Sequence, residues 1–185
     1  MTSSASDPAT AAADVIDLGS VRQDDESFQA LFASTYPRLV RTVELVVGSR
    51  AVAEEIAQDA FVQLFLRWRR VGGYDRPDLW LRRVAVRDAV RERRRSRRRL
   101  ELERVPAGAL RQEPDHGTDP DVLRAIATLG PKQRAIVALF YYLDRPMTEI
   151  AEILGCSEST GWSQLHHARR RLAELLHEEV PDDVG

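Results

Sequence analysis

The chain has 185 residues, 27 basic against 29 acidic side chains, a net charge of −2, 43% apolar residues and a single cysteine. One cysteine excludes an internal disulfide and a paired-cysteine zinc site, and no run approaches the roughly 20 apolar residues that cross a bilayer, so membrane insertion is excluded. Near-neutrality hides an uneven distribution: Lys132 is the only lysine, and from Arg67 to Arg104 fifteen arginines face six acids, a local balance of +9.

Met1 to Thr10 lacks the basic and apolar segments of an export signal, which leads to the expectation of a soluble, cytoplasmic chain. Residues 1–26, with six acids against Arg22, are expected to form a disordered acidic leader. From Phe28 the spacing turns helical through Leu31, Phe32, Leu39, Val40, Val43, Val46 and Val47, until Gly48 and Ser49 interrupt it. A second helix is expected from Ala51 to Arg69, with Val52, Ile56, Ala60, Phe61, Leu64, Phe65 and Trp68 on its core stripe. Glu54, Glu55, Gln58 and Asp59 lie largely off that stripe, where acids suit the positive end of the helix dipole. Val71 to Pro77 is a glycine- and proline-broken loop, and Asp78 is expected to cap the next helix. That helix is apolar through Leu79, Trp80, Val84, Ala85 and Val90, then carries seven arginines in the nine positions from Arg91 to Arg99.

Residues 105–121 hold three prolines, two glycines and four acids against Arg111, the composition of a flexible acidic linker. The expected division is therefore a first body at 27–104, the linker at 105–121, a second body at 122–177 and a tail at 178–185. In the second body Val122, Leu123, Ile126 and Leu129 form a short helix stopped by Gly130-Pro131. A longer helix uses Ile136, Val137, Phe140 and Leu143, and a final helix uses Leu165, Ala168, Leu172, Leu175 and Leu176. No strand-like alternation occurs, so the fold class is all-α, as two small helical domains.

Met147 to Leu176 has helix-turn-helix proportions: Ala151 permits close helix approach, Gly155 can take the positive φ of the turn, and Ser157 can cap the second helix. Glu158, Ser159, Thr160, Trp162, Ser163 and Gln164 would then face a major groove, with Arg169 to Arg171 reaching phosphates. A helical hairpin without DNA would fit the same spacing. The arginine run repels itself unless a polyanion neutralises it, although a solvated helix end is the simpler reading. His166 and His167 are adjacent and poorly placed to share a metal, and with His116 and His177 distant no metal or other cofactor is expected. Cys156 is expected to be inert, and no nucleophile, base and orienting acid are grouped, so no enzyme is expected.

Four segments together resemble the extracytoplasmic-function group of the sigma-70 family of RNA polymerase sigma factors. Ala53 to Phe61 (AEEIAQDAF) is similar to the family's DAEDLVQEAF segment, and Pro77 to Ala85 (PDLWLRRVA) to P.AWLYRIA. Leu129 to Arg134 (LGPKQR) resembles LPPRQR, and Met147 to Ser157 (MTEIAEILGCS) resembles LSYAEIAEILGCS. The likeness spans about Phe28 to Leu176. The Gly-Gly-Tyr-Asp-Arg-Pro loop and the preference for arginine over lysine resemble actinobacterial members.

The resemblance implies a sigma region 2 domain and a sigma region 4 domain, with core RNA polymerase and promoter DNA as partners and an anti-sigma factor as regulator. It places Glu54, Glu55, Gln58 and Asp59 against polymerase. It places Gly73, Tyr74, Asp75, Arg83, Arg87, Arg91, Arg94 and Arg95 at the minus-ten element, and Glu158, Ser159, Thr160, Trp162, Ser163, Gln164 and Arg169 at the minus-thirty-five element. Departures stand at Val86, Arg87 and Arg91, where the family usually has Arg, Asn and Asp. Gly161 replaces a packing valine, and Trp162 and Gln164 replace basic residues; a looser region 4 with altered DNA preference is the expectation. A stand-alone helix-turn-helix regulator is the alternative, and a module that binds only a regulatory protein is a third; neither gives the acidic helix and the arginine helix a joint purpose.

Overall fold

The structure, a computed structural model, describes residues 18–102 and 119–176. Most of the expected leader, most of the linker and the tail, with His116 and His177, lie outside the described residues. Every regular element among the described residues is helical.

The first body comprises α1 (Leu18–Val47), α2 (Arg50–Phe65), α3 (Trp68–Val71) and α4 (Pro77–Leu102). Helix α1 starts well before Phe28, where apolar periodicity first appears; Arg22 to Glu26 are compatible with a helix but leave no apolar mark, so α1 covers the last two and a half turns of the expected leader. Gly48 at φ 81° ends α1, and Ser49 caps α2 by accepting from the Val52 backbone N–H at 3.5 Å. The expected second helix is two: α2 stops at Phe65 and a single turn, α3, restarts at Trp68. Nor does Asp78 cap α4. The helix begins at Pro77, so Asp78 lies inside its first turn and reaches to Arg76 and Arg82.

Leu39, Val40, Val43 and Val46 of α1 pack with Ala57, Ala60 and Leu64 of α2 and Leu81, Ala85, Val86 and Ala89 of α4, all fully or almost fully buried. At one end, Phe32 stacks on Tyr36 while Phe28, Phe32 and Tyr36 meet Phe61 edge-on or tilted, with Phe65 and Trp68 joining through Phe28.

The second body holds α5 (Pro120–Thr128), α6 (Pro131–Val137), α7 (Met147–Leu154) and α8 (Glu158–Leu176). Helix α6 widens at its end into a π turn, Ala138–Tyr142, closed by the Leu143 N–H donating five residues back to Ala138 at 3.1 Å. Gly155 takes the left-handed conformation at φ 65°, and the Ser157 hydroxyl accepts from the Thr160 N–H at 3.2 Å, so α7 and α8 form the expected helix-turn-helix. Gly161 sits where α8 crosses Met147, and a Cβ there would overlap the Met147 sulfur. Gly161 therefore does not leave a valine-sized gap: Met147 fills it, and the expected loosening of this domain has no basis in the packing.

The two bodies are not apart. Helices α1 and α4 pack against α6 and α7, and the buried apolar residues of both bodies form one continuous cluster. Arg134, 1% exposed, ties them by donating from Nε to the Ile126 carbonyl at 2.9 Å and from Nη1 to the Val46 carbonyl at 3.1 Å.

Candidate nucleic-acid interface

Helix α2 presents Glu55, Gln58 and Asp59 to solvent, while Glu54 is half-buried and accepts from Arg50 Nε at 2.7 Å. One to two turns on, Val62, Phe65 and Leu66 are 56%, 57% and 74% exposed. Gln58, Val62 and Leu66 follow at intervals of four, so the acidic strip runs into an apolar one along the same helix. Sequence spacing missed this second half, because Phe65 falls on the core stripe; in the fold it meets Phe28, with centroids 5.3 Å apart, yet remains more than half exposed. Exposed apolar residues contiguous with acids suit a protein partner that is part basic and part apolar.

The loop after α3 leaves Gly73, Tyr74 and Asp75 exposed. Tyr74 accepts from Arg70 Nε at 3.2 Å, which fixes the ring while leaving a face open. Of the two glycines, Gly72 is the one the backbone requires: a Cβ there would stand 2.8 Å from the Trp68 carbonyl, whereas at Gly73 there is space.

On α4 the arginines divide into three groups. Arg91, Arg94, Arg95 and Arg97 to Arg99 are exposed, with Arg91 held to Asp88 at 2.7 Å. Arg82 and Arg93 are turned inward. Arg93 donates to the Val47 carbonyl at 3.3 Å, and burial, together with Arg97, disfavours its charge. Arg82 lies 3.5 Å from Asp78, with its Nε and Nη1 buried and lacking hydrogen-bond partners; burial is the main cause of its lowered pKa. Asp78 loses by burial but gains more from Arg76 and Arg82, which together hold its carboxyl below the ordinary range. Arg83 and Arg87 form the third group and face the second body: Arg83 Nη2 is 2.6 Å from Glu152 Oε1, and Arg87 Nε donates to the Ile153 carbonyl at 2.9 Å.

Helix α8 exposes Glu158, Ser159, Thr160, Trp162 and Ser163, with Gln164 half-buried. Ser159 and Thr160 share hydrogen bonds with the Ser157 hydroxyl at 3.0 and 2.8 Å, so they are ordered at the helix start. Trp162 is 45% exposed and rests edge-on to Phe140, with centroids 5.8 Å apart. Arg169 lies over Phe140 and Tyr141 and donates from Nε to the Tyr141 hydroxyl at 2.6 Å. The π turn puts Tyr141 in that place, and no spacing rule applied to α8 alone would have found it. Among the described residues no group of three potential metal ligands occurs, and no helix is long and apolar enough to cross a membrane.

Residues 31–99 match the family model for Sigma-70 region 2, and residues 120–172 match that for Sigma-70, region 4. The chain is 31% identical over 155 residues to the RNA polymerase sigma-E factor of Streptomyces coelicolor, covering 80% of this chain and 85% of that one. It is 29% identical over 168 residues to the ECF RNA polymerase sigma factor SigK of Mycobacterium sp. strain JLS, with 83% and 85% covered. Among solved structures, the sigma factor RpoE from Bartonella quintana, crystallised with the anti-sigma factor NepR, shares the fold at a TM-score of 0.65 and 20% identity, over 84% of this chain and 99% of that one.

Proposed function

The chain belongs to the sigma-70 family of RNA polymerase sigma factors, and from that membership we propose how its surfaces divide the work of starting transcription. The outer face of α2 docks on core polymerase through Glu55, Gln58 and Asp59, reinforced by Val62, Phe65 and Leu66. Charge complementarity sets the register, and the apolar end adds area removed from water. Glu54, already paired with Arg50, plays a lesser part.

Gly73, Tyr74 and Asp75 meet the minus-ten element, with Tyr74 as a stacking face for an unpaired base. Arg83, Arg87, Arg91, Arg94 and Arg95 hold the phosphates of the opened strand. The start of α8, from Glu158 to Gln164, reads the minus-thirty-five major groove, and Arg169, steadied by Tyr141, reaches the flanking backbone. Sigma factors are not in general enzymes; strand opening draws on binding energy, and polymerase supplies the bond-forming chemistry. We also infer a cytoplasmic site of action and an anti-sigma factor that covers these surfaces.

The observation that carries the reading is the coexistence, in one chain matching both regions, of an exposed acidic-apolar helix face with the arginine-rich α4 and an ordered, exposed α8. A stand-alone regulator would need only α8. The test is run-off transcription with purified core polymerase, paired with a binding measurement on Asp59→Arg. Reversing one charge at this face is expected to weaken core binding about tenfold, with helical content unchanged. Undiminished binding would move the polymerase surface elsewhere.

A further inference from the structure

From Glu158 to Ala168, about three turns of α8, there is no lysine or arginine, and with histidine neutral Glu158 is the only charged side chain. The forked pairing of arginine or lysine with guanine O6 and N7, the commonest specific contact in a major groove, therefore cannot form there. The Ser159 and Thr160 hydroxyls are engaged by the Ser157 hydroxyl at 3.0 and 2.8 Å, and Gln164 is half-buried. The large exposed side chain that remains near the helix start is Trp162.

Trp162 is held in place from outside its own helix. It meets Phe140 at an interplanar angle of 71°, and Phe140 in turn meets Tyr141 edge-on, with centroids 5.1 Å apart. The Arg169 guanidinium lies over both rings of the π turn, 5.7 Å from the Phe140 centroid and 5.6 Å from that of Tyr141. Trp162 and Arg169 are seven residues apart, two turns or about 10.5 Å along one side of α8. The same aromatic support thus seats both. A side chain with two rotatable bonds, already resting on a half-buried ring, loses little freedom on binding, and nearly half of the indole surface stays open to a ligand.

The chemistry of the indole decides what it can select. It has a broad apolar face, one donor at Nε1–H and no acceptor. In the major groove thymine alone displays an apolar group, its C5 methyl, and sets it beside the O4 acceptor. Cytosine and adenine display amino groups that an indole cannot accept from, and burying a donor unpaired is costly. Guanine displays two acceptors and nothing apolar.

We propose that Trp162 selects a thymine in the minus-thirty-five element by covering its C5 methyl with the indole, while Arg169, on the same aromatic support, holds a backbone phosphate two turns along. The proposal rests on the assignment of α8 to that element. It makes Trp162 a specificity-determining residue and replaces charged readout of guanine at this position with apolar readout of a methyl group.

The test uses holoenzyme assembled from purified core polymerase and the full-length chain, first to select bound duplexes from a randomised DNA library. Each thymine of the recovered minus-thirty-five element is then replaced singly by deoxyuridine, which removes only the C5 methyl, and binding of the fluorescent duplex is measured. One such replacement should weaken binding about fourfold, as expected for one buried methyl. In Trp162→Ala holoenzyme the same replacement should change binding less than about 1.5-fold. Because that variant also loses the contact with Phe140, a second keeps a long side chain: selection with Trp162→Arg should recover guanine in place of that thymine. A minus-thirty-five element without thymine, a deoxyuridine effect undiminished in Trp162→Ala, or thymine retained by Trp162→Arg would overturn the proposal and leave the assignment of α8 standing. Recovery of a minus-ten element alone would overturn both.

Discussion

Replacing Arg134 by Lys should destabilise the chain more than replacing it by Met, although Lys keeps the charge. The guanidinium spans two helix ends, donating to Ile126 near the end of α5 and to Val46 near the end of α1, with its third nitrogen, Nη2, buried and unpartnered. Burial, and then the neighbouring Arg93, disfavour its charge. Each charge-assisted bond contributes about 1.5–3 kcal/mol. A lysine ammonium lacks the fork that reaches both carbonyls, so it would lose one bond and keep the full desolvation cost of the cation, a loss of up to about 3 kcal/mol. Methionine loses both bonds, about 3–6 kcal/mol, but relieves the burial of a cation, which returns several kcal/mol, leaving a net cost of about 1 kcal/mol. In a chain of this size the lysine variant should melt about 6–12 °C below the parent. Urea unfolding followed by far-ultraviolet dichroism gives the ranking. A lysine variant within about 0.5 kcal/mol of the parent, or one more stable than the methionine variant, would refute the account of Arg134 as a two-carbonyl tie.

Gly161→Ala would ordinarily gain up to about 1 kcal/mol of helix propensity; here overlap with Met147 should turn the sign to a loss of about 1 kcal/mol. A double-mutant cycle with Met147→Ala should show favourable coupling, and a stabilised single variant would contradict the packing. Asp78→Asn should cost about 1–2 kcal/mol at neutral pH by leaving Arg82 buried without its counter-charge. Because the folded carboxyl titrates below its unfolded value, its contribution is complete above about pH 4 and fades as pH falls through the folded pKa. The difference in urea midpoint between parent and variant should therefore shrink toward pH 3, and a constant difference would remove Asp78 from the electrostatic account.

Much was legible in the order of residues. Apolar spacing at three and four fixed α4 and α8 to within a turn and α1 from Phe28 onward, and Gly155 with Ser157 specified the helix-turn-helix, because positive φ and a hydroxyl cap are local demands. The exposure of Glu55, Gln58, Asp59, Arg91, Arg94, Arg95 and the start of α8 followed from the same periodicities.

What the order of residues could not determine was which neighbours meet across long separations in the chain. Periodicity placed Phe65 inside, because nothing local signals how far along α2 the packing of α1 covers the core stripe. It treated the seven arginines from Arg91 to Arg99 alike, while packing turned Arg93, half-buried, toward the Val47 carbonyl of α1. It counted Gly161 as a gap, because only the fold brings Met147 into that space. It took the two bodies as separate, since complementary charges at Arg76 and Glu149, or Arg83 and Glu152, lie far apart in the chain. Local propensity and amphipathic period act over a few residues and are written in the order of side chains; ion pairs, steric fit and the burial of individual arginines depend on distances that exist only once the helices have packed.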